Sequence, residues 1–383
     1  MEVTVEEAKR DIKILYEKGH RESILLLGPA GVGKSVMVKE LAEELAEEQN
    51  REFIDYSDDV LDEILRNPDK YFVYCDIRLT EVEPADLIGI PREHNGYVTY
   101  RPLGWGRALS VCPGILFLDE ITNVQRLDVQ AAMYKLLLDR KVGFVKLHKD
   151  VLVVAAGNRP EDSALAVPLP APAINRVLKL TIRAPKLEEW MEWMYRKYGN
   201  DWDQRVLGFL KKFSQYFLQK PEAETLDQFA TPRKWTNLAL ISHKIPMDVL
   251  EAIVEGEVGK EAATHFMAFI KINIPELEEI IRHPEIYLKL DSEQRYFVIV
   301  QMSSFLMSEM RKQNIDLNAL LKKLKRFFLT LLNNDKENLM LLLSLLPYED
   351  RFNLVKQMTF DKELDEIPNI VIQVHSKWLK YKA

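Results

Sequence analysis

The chain has 383 residues, 47% of them hydrophobic and 29% charged, an ordinary globular composition with length for two or three domains. Lys and Arg number 52 against 59 Asp and Glu, a net charge of -7, which argues against a protein whose main task is gripping nucleic acid while leaving room for a local basic groove. Only Cys75 and Cys112 occur and no C-x-x-C pair exists, so neither a disulfide framework nor a zinc site is indicated and a reducing, cytoplasmic setting is expected.

The N-terminus Met1–Glu7 is acidic and lacks an apolar run, so no signal peptide is expected, and no stretch of about 18 apolar residues suggests a membrane span. Residues 5–18 read as a helix closed by Gly19, and Ile24–Leu27 as a short buried strand. Gly28, Pro29, Ala30, Gly31, Val32, Gly33, Lys34 and Ser35 follow, matching G-x-x-x-x-G-K-[ST] at every fixed position. Residues 36–46, beginning at Val36, have helical spacing, so the motif sits where a strand turns into a helix. There the glycines let backbone amides curl round a polyphosphate, the helix N-terminus adds its positive end, Lys34 reaches the β/γ-phosphates and Ser35 can ligate Mg2+. This stretch predicts a nucleotide-binding protein.

Residues 55–66 read as an acidic helix stopped by Asn67-Pro68, and 71–75 as a second buried strand. Residues 76–106 carry so many Pro and Gly punctuators, interleaved with Tyr97, Tyr100, Trp105 and Arg92, Arg101, Arg107, that loops with a small hairpin are expected. Gly114–Leu118 then delivers Asp119 and Glu120 at the end of an apolar strand, where a nucleotide site in an open parallel sheet needs its acids. Asp119 is assigned to magnesium through its water shell and Glu120 to activating the attacking water. Residues 129–140 are an amphipathic helix, 143–147 with 148–150 a hairpin, and 151–156 a third buried strand ending in Gly157-Asn158-Arg159. Asn158 either orients water between Glu120 and a γ-phosphate or shapes the turn. After a Pro-rich turn at 168–172, Arg176 precedes a strand at 177–182; it is an arginine finger to a neighbour's nucleotide or a plain surface arginine.

From Lys186 the pattern is helical almost throughout, with helices at 187–198, 206–218, 234–243, 295–312 and 317–332, the third opened by Thr231-Pro232-Arg233. The α/β signal ends near Ala184, so a boundary is expected there. The predicted organisation is an α/β P-loop core over 1–184, an all-α lid over 185–250 and a helical extension over 251–383. Basic clusters at 322–326 and 377–382 read as solvated helix faces.

Taken together, Gly28–Ser35, Ile115–Glu120, Asn158, Arg176 and Arg233, with the phrases Asp76–Leu79, Pro84–Gly89, Leu118–Thr122, Val153–Arg159, Ile174–Arg176 and Thr231–Trp235, resemble the AAA+ ATPases, and within them the MoxR-like and dynein-related branch. The resemblance covers about residues 5–245. It implies Lys34 and Ser35 as Walker A, Asp119 and Glu120 as Walker B, Asn158 as sensor 1, Arg176 as a finger acting in trans and Arg233 as sensor 2 on the lid. It implies ATP and Mg2+ as cofactors and a homo-oligomeric ring, usually a hexamer. Residues 87–106 would be an insert facing the pore, and 143–148 the hairpin before sensor 1. Many members of the branch are chaperones or remodelling ATPases with a von Willebrand factor A domain partner. Where they often carry Met and Leu around the finger, this chain has Pro170–Ile174.

The leading expectation is thus an ATP-hydrolysing, Mg-dependent machine acting on a protein client. A slow nucleotide-dependent switch or scaffold would use the same pocket, and a nucleic-acid motor, or the GTP-using branch of related restriction complexes, is disfavoured by the acidic charge.

Overall fold

The computed structural model describes residues 2–163, 166–219, 227–312 and 315–372, so the basic cluster at 377–382 lies outside the described residues. The chain divides into two compact units, Met1–Pro185 and Lys186–Ala383.

In the first unit the strands are β1 (Glu2–Val3), β2 (Ile24–Leu27), β3 (Glu52–Asp55), β4 (Tyr71–Arg78), β5 (Ile90–His94), β6 (Tyr97–Arg101), β7 (Gly114–Asp119), β8 (Lys141–Val142), β9 (Val145–Lys146), β10 (Val151–Gly157) and β11 (Leu178–Ile182). The helices are α1 (Val5–Glu17), α2 (Lys34–Glu48), α3 (Leu61–Arg66), α4 (Pro84–Ile88), α5 (Gly104–Val111), α6 (Leu127–Asp139) and α7 (Ala171–Ile174). Seven strands form one sheet in the order β1-β11-β2-β10-β7-β4-β3, parallel at every pairing. Chain order moves from β2 to the far edge at β3, steps inward to β10, then crosses to β11 on the other side of β2. The switch point, where an open parallel sheet leaves a crevice for ligand, therefore lies at the carboxyl end of β2.

The central strands are apolar throughout because both their faces are covered. Residues of alternate parity along β7 and β10 enter different cores. Leu116, Leu118, Val153 and Ala155 pack with Leu109, Met133 and Leu136 of α5 and α6. Ile115, Phe117, Leu152 and Val154 pack with Ile12 of α1 and with Met37 and Leu41 of α2.

Three expectations in this unit are corrected. The acidic helix predicted over 55–66 is shorter: Glu52–Asp55 is an edge strand, a 3-10 turn covers Asp58–Val60, and only Leu61–Arg66 is α-helical. The β-strand wins locally because Phe53 and Ile54 pair with Phe72 and Val73 of β4, a long-range contact that local propensity does not report. The irregular stretch 76–106 does hold a hairpin, β5–β6, but also continues β4 to Arg78 and opens α5 at Gly104. The predicted hairpin over 143–147 turns instead at Gly143-Phe144, with 141–142 paired to 145–146.

The second unit is helical: α8 (Leu187–Tyr198), α9 (Arg205–Lys212), α10 (Pro232–Ile241), α11 (Met247–Val258), α12 (Lys260–Ile270), α13 (Leu277–Arg282), α14 (Ser292–Met310), α15 (Leu317–Asn334), α16 (Lys336–Ser344) and α17 (Tyr348–Met358). One hydrophobic cluster runs from Leu187 to Ile367, so residues on both sides of position 250 share a core. Aromatic rings at Phe209, Trp235, Phe266 and Phe269 pack together within it. The helix expected over 206–218 stops at Lys212 and gives way to a 3-10 turn at Ser214–Tyr216. The Trp235 indole there donates to the Tyr216 carbonyl at 2.6 Å. No helix of the described residues is long and apolar enough to cross a membrane.

Candidate functional site

The site is built where β2 runs out. Gly28 continues the sheet for one more bond, donating its N–H to the Gly157 carbonyl of β10 at 3.3 Å. A Cβ at Gly28 would lie 2.3 Å from the Ile182 carbonyl oxygen, so the close approach of the two strands admits only glycine. The loop then coils through Gly31 (φ 72°) and Gly33 (φ 100°), conformations that point successive amides into one concavity. Gly33 caps α2 without any side-chain acceptor, leaving the first amides of a 15-residue helix directed at that concavity, an arrangement that binds anions.

Lys34, the first residue of α2, is only 8% exposed. A buried ammonium needs partners, and its Nζ donates to the carbonyls of Gly28 and Pro29 at 2.7 and 2.8 Å and to Asn158 Oδ1 at 3.3 Å. The lysine is thus folded over its own loop, with its charge held where phosphate oxygens would enter. Next to it, Ser35 Oγ donates to Asp119 Oδ2 at 2.9 Å.

Strand alternation explains why these side chains meet. Asp119 continues the parity of Ile115 and Phe117, and Asn158 continues that of Val154 and Ala156, all of which face α1 and α2. Both polar residues therefore emerge on the side of the sheet where α2 starts. Two hard oxygen donors in contact, beside a phosphate-binding loop, fit Mg2+, which takes one or two protein oxygens and completes its shell with water and substrate phosphate.

Glu120 is displaced from this row. Its backbone adopts φ 61°, ψ 31°, an uncommon left-handed conformation for a non-glycine residue, and its N–H donates to Asp119 Oδ1 at 2.8 Å. The turn sends the carboxylate towards the end of β4, where Thr80 Oγ1 donates to Oε2 at 2.9 Å and Arg78 Nε lies 3.6 Å from Oε1. Arg78 lies within the Asp76–Leu79 phrase that carries the resemblance but was given no role from the sequence, and Thr80 was not singled out. The available signal was positional, since Arg78 is the register partner of Asp119 once β4 is recognised as longer than five residues. Thr122 closes the Leu118–Thr122 phrase and was likewise given no role: its Oγ1 accepts the Asn158 N–H at 2.9 Å and so fixes the turn that carries Asn158.

Asp76, on the same face of β4 as Arg78, opens the Asp76–Leu79 phrase and also had no role assigned from the sequence. Partial burial, then the negative charges of Asp119 and Asp55, push its carboxyl up to about 6 against the opposing pull of Arg78 and Lys39. Loss of a proton there brings a further negative charge beside Asp119.

Arg176 is not with the others. It sits exposed in the turn before β11, and β11 starts level with the first residue of β2, Leu178 opposite Ile24. The arginine is therefore at the amino ends of the strands, on the order of 15–20 Å below the loop at about 3.3 Å per residue. Among the described residues its guanidinium takes no hydrogen bond or ion pair. Arg233 lies in the first turn of α10 in the second unit, exposed, in a helix capped by Thr231, whose side chain accepts the Lys234 N–H at 3.3 Å.

Residues 24–169, the stretch from β2 through the turn after Asn158, match the model of the ATPase family associated with various cellular activities (AAA). Over that stretch the chain is similar to AAA ATPase domains. Such a domain makes the protein a nucleotide-binding ATPase in general terms. None of the curated proteins matches the chain. Among solved structures, the FIGL-1 AAA domain in complex with ADP is 15% identical, with 75% of this chain and 87% of that chain covered and a TM-score of 0.36. NtrX from Brucella abortus is 16% identical, with coverage of 85% and 68% and a TM-score of 0.34. The ORC2 protein of Aeropyrum pernix is 11% identical, with 84% of each chain covered and a TM-score of 0.35. Likeness at this level is too weak to carry an argument about activity.

Proposed function

We propose that the AAA domain hydrolyses ATP in a Mg-dependent reaction shared between subunits of a ring, and that the work is done on a protein client. The observation that carries this reading is the placement of polar groups at opposite ends of one sheet. Lys34, Ser35, Asp119 and Asn158 converge at the carboxyl ends, while Arg176 stands at the amino ends, too far to serve its own loop. An arginine so placed can reach a nucleotide only on a neighbouring copy. In this reading the loop amides and Lys34 hold the phosphates, Glu120 takes the proton of the attacking water and Asn158 orients that water. Magnesium held by Ser35 and Asp119 would neutralise charge on the phosphates. Arg233, on a helical lid at 185–250, would be the second sensor, and 251–383 an extension for client or partner. A hexameric, cytoplasmic ring of the MoxR-like kind, paired with a von Willebrand factor A domain protein, is the most specific form of the proposal.

A second reading, a slow nucleotide-dependent switch, draws on the contacts of Glu120. With Thr80 and Arg78 holding the carboxylate, the base must be released before it can act, so turnover without a client would be low. The two readings share the pocket and differ in what releases Glu120.

Substituting Glu120→Gln tests the core of the proposal. Nucleotide affinity measured with a fluorescent ATP analogue should stay near wild type, while phosphate release falls by about 10²–10⁴, the range expected for loss of a general base. Normal turnover in this variant would overturn the assignment.

A further inference from the structure

Away from the nucleotide loop, the β5–β6 hairpin, the start of α5 and Leu61 of α3 enclose a hollow of about 490 Å³. Its charge is concentrated in Arg92, Arg101 and Arg107, with one acid, Glu93, also at its wall. Strand register explains the grouping. Ile90 pairs with Arg101 and Arg92 with Thr99, so Ile90, Arg92 and Arg101 share one face of the hairpin, and Arg107 projects one turn into α5. The other face carries Val98 and Tyr100, with the Tyr100 ring 6.1 Å from that of Phe144 on the β8–β9 turn.

Three guanidiniums lie round one cavity, and among the described residues none of them has a hydrogen-bond or ion-pair partner. Most other arginines near a carboxylate in this unit are paired, Arg126 with Glu83 and Asp128 and Arg159 with Glu2 and Asp162. The N-terminus of α5 has no side-chain cap, and its N-cap Leu103 and first residue Gly104 line the same hollow. Leu61, Ile90 and Leu103 add apolar lining. Unpaired forked donors beside apolar side chains suit a planar carboxylate attached to a carbon chain.

We infer that this hollow binds an acidic peptide segment, and that the client of this ATPase presents Asp and Glu side chains to it. A nucleic-acid strand is the weaker fit. Asp58, Asp59, Asp62 and Glu63 stand exposed on the segment that supplies Leu61, so the basic hollow is bounded by an acidic ridge. A phosphodiester chain long enough to cross the hollow would run onto that ridge, whereas a short acidic segment can end within it.

An acidic client presupposes that the protein acts on a client at all, so binding is measured without ATP, where absent turnover cannot mask it. The probes are a fluorescein-labelled peptide rich in Asp, Glu and Leu, its Asn/Gln counterpart and a single-stranded oligonucleotide of equal charge, followed by anisotropy with the full chain. The acidic peptide should bind, weaken as salt rises, and lose about tenfold or more in affinity in the combined Arg92→Ala, Arg101→Ala, Arg107→Ala variant. Arg→Lys at the same positions should recover part of that loss, because charge returns without the fork. Retained binding of the fluorescent ATP analogue verifies that each variant is folded. Equal binding of the Asn/Gln peptide, tighter binding of the oligonucleotide, no binding of the acidic peptide, or an unchanged affinity in the alanine variant would each overturn the inference.

Discussion

The two ends of the seven-stranded sheet carry different arrangements of polar groups. At the carboxyl ends a loop, a helix start and two strand ends bring Lys34, Ser35, Asp119 and Asn158 into mutual contact. At the amino ends one exposed arginine, Arg176, faces solvent without a partner. The first end looks complete within one chain and the second does not. A parallel sheet makes this division possible, because all its strands place their carboxyl ends on one side and their amino ends a strand's length away. On the proposed reading, the difference teaches that a residue can serve a catalytic site on a neighbouring copy and yet be useless to its own.

The sharpest way to break that comparison is at Arg176. Replacing it with Ala should lower phosphate release by about 10³ or more, the range for a charge-stabilising arginine in nucleotide hydrolysis, with nucleotide affinity nearly kept. Mixing Arg176→Ala with Glu120→Ala subunits should recover activity at interfaces where an intact loop meets an intact arginine. Absence of recovery at every mixing ratio would place both ends in one chain after all.

A smaller effect is expected at Thr80, which holds Glu120 on the near side of the site. Thr80→Val removes one hydrogen bond of about 1 kcal/mol and should raise client-free turnover about fivefold. A fall in turnover would show that Thr80 positions the base for attack instead of restraining it.

The smallest effect is on stability, at Asp76. Its carboxyl is held up at about 6 in the folded protein, so folding favours its protonated form. The stability linked to this group is complete below the ordinary carboxylate range, about 3.9, and is lost as pH rises through about 6. Asp76→Asn, which stays neutral, should therefore melt higher than wild type at pH about 8 by under about 1 kcal/mol, since water screens the partly open site. The gap should close towards pH about 4. A gap of the same size throughout would refute repulsion from Asp119 and Asp55 as its origin.

Much of this unit was legible because its chemistry is contiguous. Gly28–Ser35 lies in one stretch whose phosphate-binding geometry is local, and Asp119 follows an apolar run that had to be a strand. Parity along β7 and β10 even predicts which face Asp119 and Asn158 share, once the strands are granted. Residues 76–106 were much less legible. There the hairpin register depends on Gly89 and Gly96 adopting positive φ and on α5 and α3 packing together, and it alone gathers Arg92, Arg101 and Arg107 round a hollow. Edge strand β3 was missed for a related reason: its pairing with β4 is a contact between distant residues, and the acids that follow it have helical propensity.

The amino-acid sequence by itself determined the phosphate loop, the acidic strand end, the α/β character up to about residue 184 and the helical character beyond it. Each of these is written in neighbours a few residues apart, where backbone sterics and side-chain periodicity act directly. Only the tertiary structure decided that Lys34 closes onto Asn158, that Thr80 and Arg78 hold Glu120, and that Arg176 stands at the wrong end of the sheet for its own loop. Those relations depend on strand order and register, which are set by burying both faces of the sheet under helices and which no local pattern encodes.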